Sequence, residues 1–161
     1  MKRNFVIYGI KPISVNATLI PNHRGFTKSV AAQEFSYQLF HQLNSDLNQR
    51  SLEELRNAFV PGQHGYGISI ETKYPRSKFY TKKGGVSAVT VDVSNFEKPI
   101  VDILFLPKHF DCEPPYGVKN LNMDDKFLLQ LSSKKSPADV QDYEIHIEIE
   151  ILDLDIKNDV N

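Results

Sequence analysis

The stretch DYEIHIEIEI, residues 142–151, decides the fold class because its side chains alternate between two faces. The apolar set is Tyr143, Ile145, Ile147, Ile149 and Ile151, and the polar set is Glu144, His146, Glu148 and Glu150. A period of two predicts a strand in a sheet with one buried face. His146 lies on the polar face, so we expect it to be solvated rather than catalytic. The parity changes after Ile151, which predicts a bulge or the end of pairing.

The preceding chain supplies further strands and two or three helices. Residues 4–10 predict a strand, and prolines and asparagines make residues 11–28 a predicted loop. Ser29 is the expected N-cap of a helix to about Asn48, with a buried stripe at four-residue spacing: Ala31, Phe35, Leu39, Leu43 and Leu47. Ser51 and Glu54 fit a capping box at the start of a second helix, which ends at Pro61-Gly62.

The second half of the chain predicts strands at residues 66–74 and 89–93, then a helix from Phe96 to about Leu106. Two last strands follow, joined as a hairpin around Ser136-Pro137. This order predicts an α+β fold, a single mixed or antiparallel β-sheet with helices packed on it. A length of 161 residues fits one domain, 1–161, and its acidic end from about 152 to 161 is a candidate for disorder.

Composition limits the compartment and the partners. No apolar run is long enough for a signal peptide core or a membrane span, so we expect a cytoplasmic protein with no membrane partner. The single cysteine, Cys112, excludes an internal disulfide; with His109 it supplies two zinc ligands at most, and a plain loop is the simpler interpretation. Eight acids and one lysine lie in residues 139–161, so the rest of the chain is basic. That asymmetry suits either a polyanionic partner or an ordinary solvated surface with an acidic edge.

A basic stretch, KYPRSKFYTKKGG, covers residues 73–85. Its cations are Lys73, Arg76, Lys78, Lys82 and Lys83, with Tyr74, Phe79 and Tyr80 between them. Cations neutralise phosphates, and aromatic rings stack on unpaired bases, so these residues are candidate DNA contacts in a mobile loop. The alternative is a solvated loop whose aromatic residues attach it to the core.

Carboxylates are concentrated in two places. Asp92 is expected at the corner between a strand and the next helix, where Lys98 and Asp102 share one helical face. Asp124 and Asp125 open a predicted strand. If that strand lies beside the one ending at Asp92, three carboxylates and a lysine converge on a site that suits Mg²⁺ and phosphodiester hydrolysis. The alternative is a helix cap, an i,i+4 ion pair and a turn.

The segment DVSNFEKPIVDIL resembles the central motif of RusA-type Holliday junction resolvases, roughly Asp-x-Asp-Asn-Leu-x-Lys-x-x-x-Asp-x-Leu. Asp92, Asn95, Lys98, Asp102 and Leu104 match it, MDDKFLLQL is similar to the family's Asp-Asp pair before a strand, and KPISVNATL to its early Pro-x-Ser-x-Asn. The order of elements matches over most of the chain.

The resemblance implies a RusA-like fold and a homodimeric endodeoxyribonuclease that uses Mg²⁺, with Mn²⁺ as a substitute, on four-way or branched DNA. It implies that Asp92, Asp124 and Asp125 bind the metal, that Asp92, Lys98 and Asp125 are catalytic, and that the basic residues hold DNA. Asn95 and Asp102 match the motif and Ser94 occupies one of its positions, and the roles of all three stay open.

Ser94 departs from the motif, which has a second acid at this position. A lost carboxylate removes a charge and an oxygen ligand, so the alternative is a catalytically lapsed module that binds DNA or a protein. A third interpretation involves no DNA: the protein is a structural or interaction module that contacts other proteins through the aromatic loops near Phe110 and Tyr116.

Overall fold

The computed structural model describes residues 1–14, 16, 19–23, 25–88, 90–105, 120–121 and 124–154. In chain order the elements are β1 (Lys2–Tyr8), β2 (Leu19–Asn22), β3 (Gly25–Lys28), α1 (Val30–Leu43), α2 (Asp46–Ala58), β4 (His64–Pro75), α3 (Arg76–Phe79), α4 (Val93–Phe105), β5 (Leu128–Ala138) and β6 (Glu144–Asp153). A single 3₁₀ turn, Asp125–Phe127, leads into β5.

Four strands form one mixed sheet in the order β1-β6-β4-β5. β6 is antiparallel to both β1 and β4, whereas β4 and β5 are parallel. The alternation in β6 has the predicted effect, because Ile145, Ile147 and Ile149 are fully buried while their neighbours are partly exposed. The predicted α+β class with a mixed sheet and packed helices is therefore confirmed.

The predicted hairpin between the last two strands is wrong. β5 pairs with β4 in parallel, and β6 lies between β1 and β4. Parallel neighbours need a crossover connection, and the connection between β4 and β5 contains α3 and the longer α4. The alternating pattern of β6 identifies its buried face but carries no information about which strands flank it.

The prediction that residues 11–28 form a loop is wrong in part. β2 and β3 lie in this range and pair antiparallel as a separate two-stranded sheet. Pro21 lies inside β2, opposite Phe26. A proline is tolerated there because β2 has only one pairing partner among the described strands, so one of its edges needs no backbone donor.

The first helix is shorter than predicted and the second begins earlier. Ser29 caps α1 as expected, its Oγ accepting a hydrogen bond from the Ala32 N–H at 3.1 Å. However, α1 ends at Leu43, and α2 starts after Ser45 rather than at Ser51. Leu47 lies beyond α1, on α2, and is 82% exposed. Within α1, Ala31 is exposed while Ala32 is buried, because four-residue spacing rotates by about 40° per step around an α-helix and drifts away from one face.

The core lies on one face of the sheet, beneath the helices. Phe5 and Ile7 of β1, Ile68 and Ile70 of β4 and the isoleucines of β6 pack there with side chains from α1, α2 and α4. A smaller buried cluster of Tyr74, Phe79 and Tyr143 closes one end. No helix in the described part of the chain has the length and apolar character to cross a bilayer.

Candidate functional site

Asp92 follows a backbone segment that side chains hold in place. The predicted strand at 89–93 is wrong: the described residues Thr90, Val91 and Asp92 belong to no strand, and α4 begins at Val93. The Val91 N–H donates to the Tyr74 hydroxyl at 3.2 Å, and Lys135 Nζ donates to the Val91 carbonyl at 3.2 Å. These bonds replace a strand ladder, and the segment presents an exposed Asp92.

Lys135 and Tyr74 are the residues that sequence reasoning missed at this site. Lys135 Nζ also donates to Thr90 Oγ1 at 3.2 Å, so one ammonium holds two successive residues. Burial raises the pKa of the Tyr74 phenol. Tyr74 is an even number of residues from Ile68 and Ile70 in β4, so the alternation of the strand could have indicated that its side chain points inward. Nothing in the sequence around Lys135 indicates the contacts of Lys135.

The first half of α4 carries the other residues of the motif. Lys98 Nζ lies 2.9 Å from Asp102 Oδ1, the predicted i,i+4 pair, and both side chains are substantially exposed. Such a pair contributes little to stability, so both groups remain available to a ligand. Asn95 donates its backbone N–H to the Asp92 carbonyl at 2.9 Å, and Glu97 accepts a hydrogen bond from the Ser133 hydroxyl of β5. The side chain of Ser94 lies outside the described part.

Asp124 and Asp125 are both exposed at the start of the 3₁₀ turn. Asp124 Oδ1 accepts a hydrogen bond from the Lys126 N–H at 3.0 Å, and this bond holds the pKa of the Asp124 carboxyl below its ordinary value. Asp124 therefore caps the turn, which is the plainer of the two roles that the sequence suggested. The turn is followed directly by β5, as predicted for a pair that opens a strand.

Within one chain, Asp92 and the Asp124-Asp125 pair lie apart, at opposite ends of α4. Asp92 lies near Lys135, toward the end of β5. The Asp124-Asp125 pair lies at the other end of the helix, as two sets of contacts show. The Leu121 N–H donates to the Leu104 carbonyl at 2.9 Å. Phe127 packs on Phe59, which stacks on Tyr66, and the Tyr66 ring contacts Phe105 at the end of α4. A helix of 13 residues spans about 20 Å. Within the described residues, no three His, Cys, Asp or Glu side chains form a group able to hold a metal ion.

The basic residues occupy three different settings rather than one mobile loop. Lys73 lies in β4 on the face of the sheet away from the core, in register with Glu144. Arg76 and Lys78 are on α3, where Arg76 Nε lies 2.7 Å from Asp139 and Lys78 Nζ lies 3.8 Å from Asp142. Lys82 and Lys83 are exposed in a tight turn after α3.

Two features of this surface were not expected from the sequence. The acids Asp139 and Asp142 follow β5, so they partly neutralise the cations of α3. The interleaved aromatic residues also divide: Tyr74 and Phe79 are buried, and Tyr80 remains exposed. His109, Phe110, Cys112 and Tyr116, and the acidic end beyond residue 154, lie outside the described residues.

Comparison with models of known protein families produces no match for this chain, and comparison with curated protein sequences produces none either.

Proposed function

We propose that this chain is a RusA-like, Mg²⁺-dependent endonuclease that acts as a homodimer on four-way or branched DNA. The observation that carries the proposal is the presentation of Asp92. Its carboxylate is exposed at the end of a segment that Tyr74 and Lys135 fix, directly before the helix that carries Asn95, Lys98 and Asp102. A catalytic carboxylate needs such support, since a loosely held ligand loses geometric precision.

The described residues of one chain do not bring the three proposed metal ligands together. Carboxylate oxygens suit Mg²⁺, but Asp92 and the Asp124-Asp125 pair are separated by about the length of α4, roughly 20 Å. Two copies related by a two-fold axis remove this difficulty if Asp92 of one protomer meets the acid pair of its partner. In that arrangement these acids would hold the cation, which supplies charge neutralisation at the phosphate when bound.

A dimer also suits the proposed substrate. Paired nicks related by a dyad need two identical sites, which a two-fold dimer provides. Leu129 and Leu131 are exposed in the first half of β5, the strand that the acid pair precedes, and β5 pairs only with β4 among the described strands. A sheet edge with unpaired backbone groups and exposed apolar side chains favours a protein contact there.

The remaining residues of α4 take roles that need no further group. Lys98 is exposed and supplies a positive charge for a phosphate or a leaving oxygen once DNA displaces Asp102 from the pair. Asn95 anchors the first turn of the helix to Asp92 through its backbone. Arg76 and Lys78 contact DNA only after separation from Asp139 and Asp142, so we expect their binding to be weaker than that of Lys82 and Lys83.

Ser94 favours a second candidate function, a junction-binding protein that does not cut. It replaces an acid of the motif with a hydroxyl, which is a weaker ligand and carries no charge. A gain of cleavage in Ser94→Asp would show that this serine limits the activity. Salt-sensitive junction binding without cleavage, even in Ser94→Asp, would support the binding function instead.

The test of the enzymatic proposal uses a synthetic four-way junction with Mg²⁺ or Mn²⁺. We expect metal-dependent nicks from the wild type, and a loss of at least about 100-fold in Asp92→Asn because a metal ligand is removed. Asp46→Asn, at an exposed acid on α2, is the control and retains activity. Absence of cleavage in every metal, by a protein that is folded and binds the junction, would refute the nuclease.

A further inference from the structure

The segment from Phe79 to Ser87 forms a small hairpin, called here the 79–87 hairpin. The Ser87 N–H donates to the Phe79 carbonyl at 2.8 Å, Tyr80 and Val86 form an antiparallel bridge, and the Thr81 N–H donates to the Gly85 carbonyl at 2.7 Å. Gly84 has a φ of 83°, a conformation that glycine adopts without strain. The turn is therefore a defined structure that can present side chains in fixed directions.

The Tyr80 ring packs on a buried aromatic residue on one side and faces solvent on the other. Phe79 is buried and contacts Tyr74 edge-on with ring centroids 5.9 Å apart, and the Tyr80 ring packs edge-on against Phe79 at 5.1 Å. Tyr80 nevertheless remains 39% exposed. Its partner across the bridge, Val86, is 57% exposed, and directly opposed residues of an antiparallel pair share a face. Together they make a small apolar platform.

The charged side chains within the turn itself are all positive. Lys82 and Lys83 occupy the turn, and the sequence has no acid between Glu71 and Asp92. In the described part of the chain neither lysine has an acidic partner within 4 Å, in contrast to Arg76 and Lys78. An isolated exposed tyrosine is common on protein surfaces, but a supported aromatic and aliphatic pair flanked by two unpaired cations suits a nucleic acid with an accessible base.

The 79–87 hairpin also lies next to the proposed active site. The Thr90 N–H and Thr90 hydroxyl both donate to the Ser87 carbonyl, at 3.1 and 2.8 Å, so the end of the hairpin is joined to the segment that carries Asp92. A DNA strand whose phosphate reached Asp92 would pass this turn. Branched DNA offers what the interior of a duplex lacks, a base pair at a branch point where the arms separate.

We infer that the 79–87 hairpin is a wedge that stacks Tyr80 and Val86 on the base pair at the branch point, with Lys82 and Lys83 on the flanking phosphates. This inference rests on the proposed function for its choice of branched DNA. Unstacking at a branch point is less costly than inside a duplex, so such a wedge would favour junctions over linear DNA.

The test measures binding in EDTA, where no cleavage occurs, to a four-way junction and to a linear duplex of the same sequence. Tyr80→Ala is expected to weaken junction binding about tenfold and duplex binding by much less, while Tyr80→Phe keeps wild-type affinity. Tyr37→Ala removes an exposed tyrosine from α1 and is the matched control. The double variant Lys82→Ala and Lys83→Ala should bind both DNAs more weakly. The slope of the logarithm of the binding constant against the logarithm of the salt concentration should become shallower by about two.

A 2-aminopurine base at the branch point reports stacking directly. Its fluorescence should change when the wild type binds and stay unchanged with Tyr80→Ala at saturating protein. If Tyr80→Ala binds the junction like Tyr37→Ala, the wedge is wrong and the nuclease proposal is unaffected. If the wild type never cuts but Tyr80 determines junction preference, the wedge stands and the nuclease falls. If the wild type prefers neither DNA, the wedge is overturned, and the cleavage test alone decides the nuclease.

Discussion

Lys135 holds the backbone before Asp92 from the neighbouring strand. Its ammonium is half-buried and donates to both Thr90 and Val91. We expect Lys135→Met to lower the free energy of unfolding by about 2 kcal/mol, since charged hydrogen bonds contribute about that much. Urea unfolding measures this, and hydrogen exchange should become faster at residues 90–92.

Lys134→Met is the matched control for Lys135→Met. Lys134 is on the opposite face of β5, where its exposed ammonium lies 3.3 Å from the partly buried Glu71. Its loss should cost no more than about 1 kcal/mol and leave exchange at residues 90–92 unchanged. Equal effects of the two substitutions would contradict the assigned role of Lys135.

Tyr66 is a buried phenol at the centre of the core. Burial raises the pKa of Tyr66 to about 12, and its hydroxyl has no hydrogen-bond partner among the described residues. Tyr66→Phe removes an unsatisfied polar group, so the free energy of unfolding should rise by about 1 kcal/mol in urea titrations. A decrease would mean that the hydroxyl has a partner.

Glu71 makes stability depend on acidic pH. Its partial burial acts to raise the pKa, but hydrogen bonds from Ser136 and Lys134 and the positive charges of Lys134 and Lys73 together outweigh burial and set the pKa of Glu71 below its ordinary value of 4.5. A carboxyl with a lowered folded-state pKa stabilises the protein above the unfolded-state value, and this stabilisation is lost as pH falls through the folded-state pKa. Glu71→Gln should therefore flatten the decline of stability below pH 4.5, as followed by urea unfolding; an unchanged decline would contradict this.

The helix starts are where local sequence and structure disagree most usefully. Ser29 caps α1, whereas Ser51 lies within α2, one turn after its start. Ser29→Ala should lower the free energy of unfolding by about 1 kcal/mol, because a cap hydrogen bond is lost. Ser51→Ala should be neutral or slightly stabilising, because alanine has the higher helix propensity. A loss at Ser51 equal to that at Ser29 would support the capping box instead.

Elements with a strong local signal were predictable, and the pairing between elements was not. The alternation of residues 143–151 and the capping serine at position 29 both act through neighbouring residues, so the sequence reveals them. The β-branched run around Val91 looks like a strand, but the Tyr74 hydroxyl and Lys135 take its backbone groups. Neither partner is near it in sequence, and contacts of this kind override local propensity.

The candidate site was predictable in its residue types but not in its arrangement. The spacing of Lys98 and Asp102 correctly indicates one helical face. The predicted convergence of Asp92 with Asp124 and Asp125 assumed that two strands lie side by side in the sheet, with these acids at neighbouring ends. With Asp92 before α4 and the acid pair after it, the crossover places them at opposite ends of the helix.

At the scale of the whole molecule, this separation makes the proposed activity a property of two chains. The described part of one chain carries both halves of the proposed metal site without joining them. The proposed wedge lies beside the Asp92 half, so each site of a dimer would take Asp92, Lys98 and the hairpin from one protomer and the Asp124-Asp125 pair from its partner. Dilution below the dimer dissociation constant should then abolish cleavage without unfolding the chain.

The most direct measurement mixes two inactive variants, Asp92→Asn and Asp125→Asn, by coexpression. A mixed dimer then pairs the intact Asp92 of one chain with the intact Asp125 of the other, forming one complete site. We predict that each variant alone is inactive and that the mixture nicks junctions on one strand, with about a quarter of the wild-type number of sites. If the mixture stays inactive while both variants fold, dimerise and bind junctions, the shared active site is contradicted.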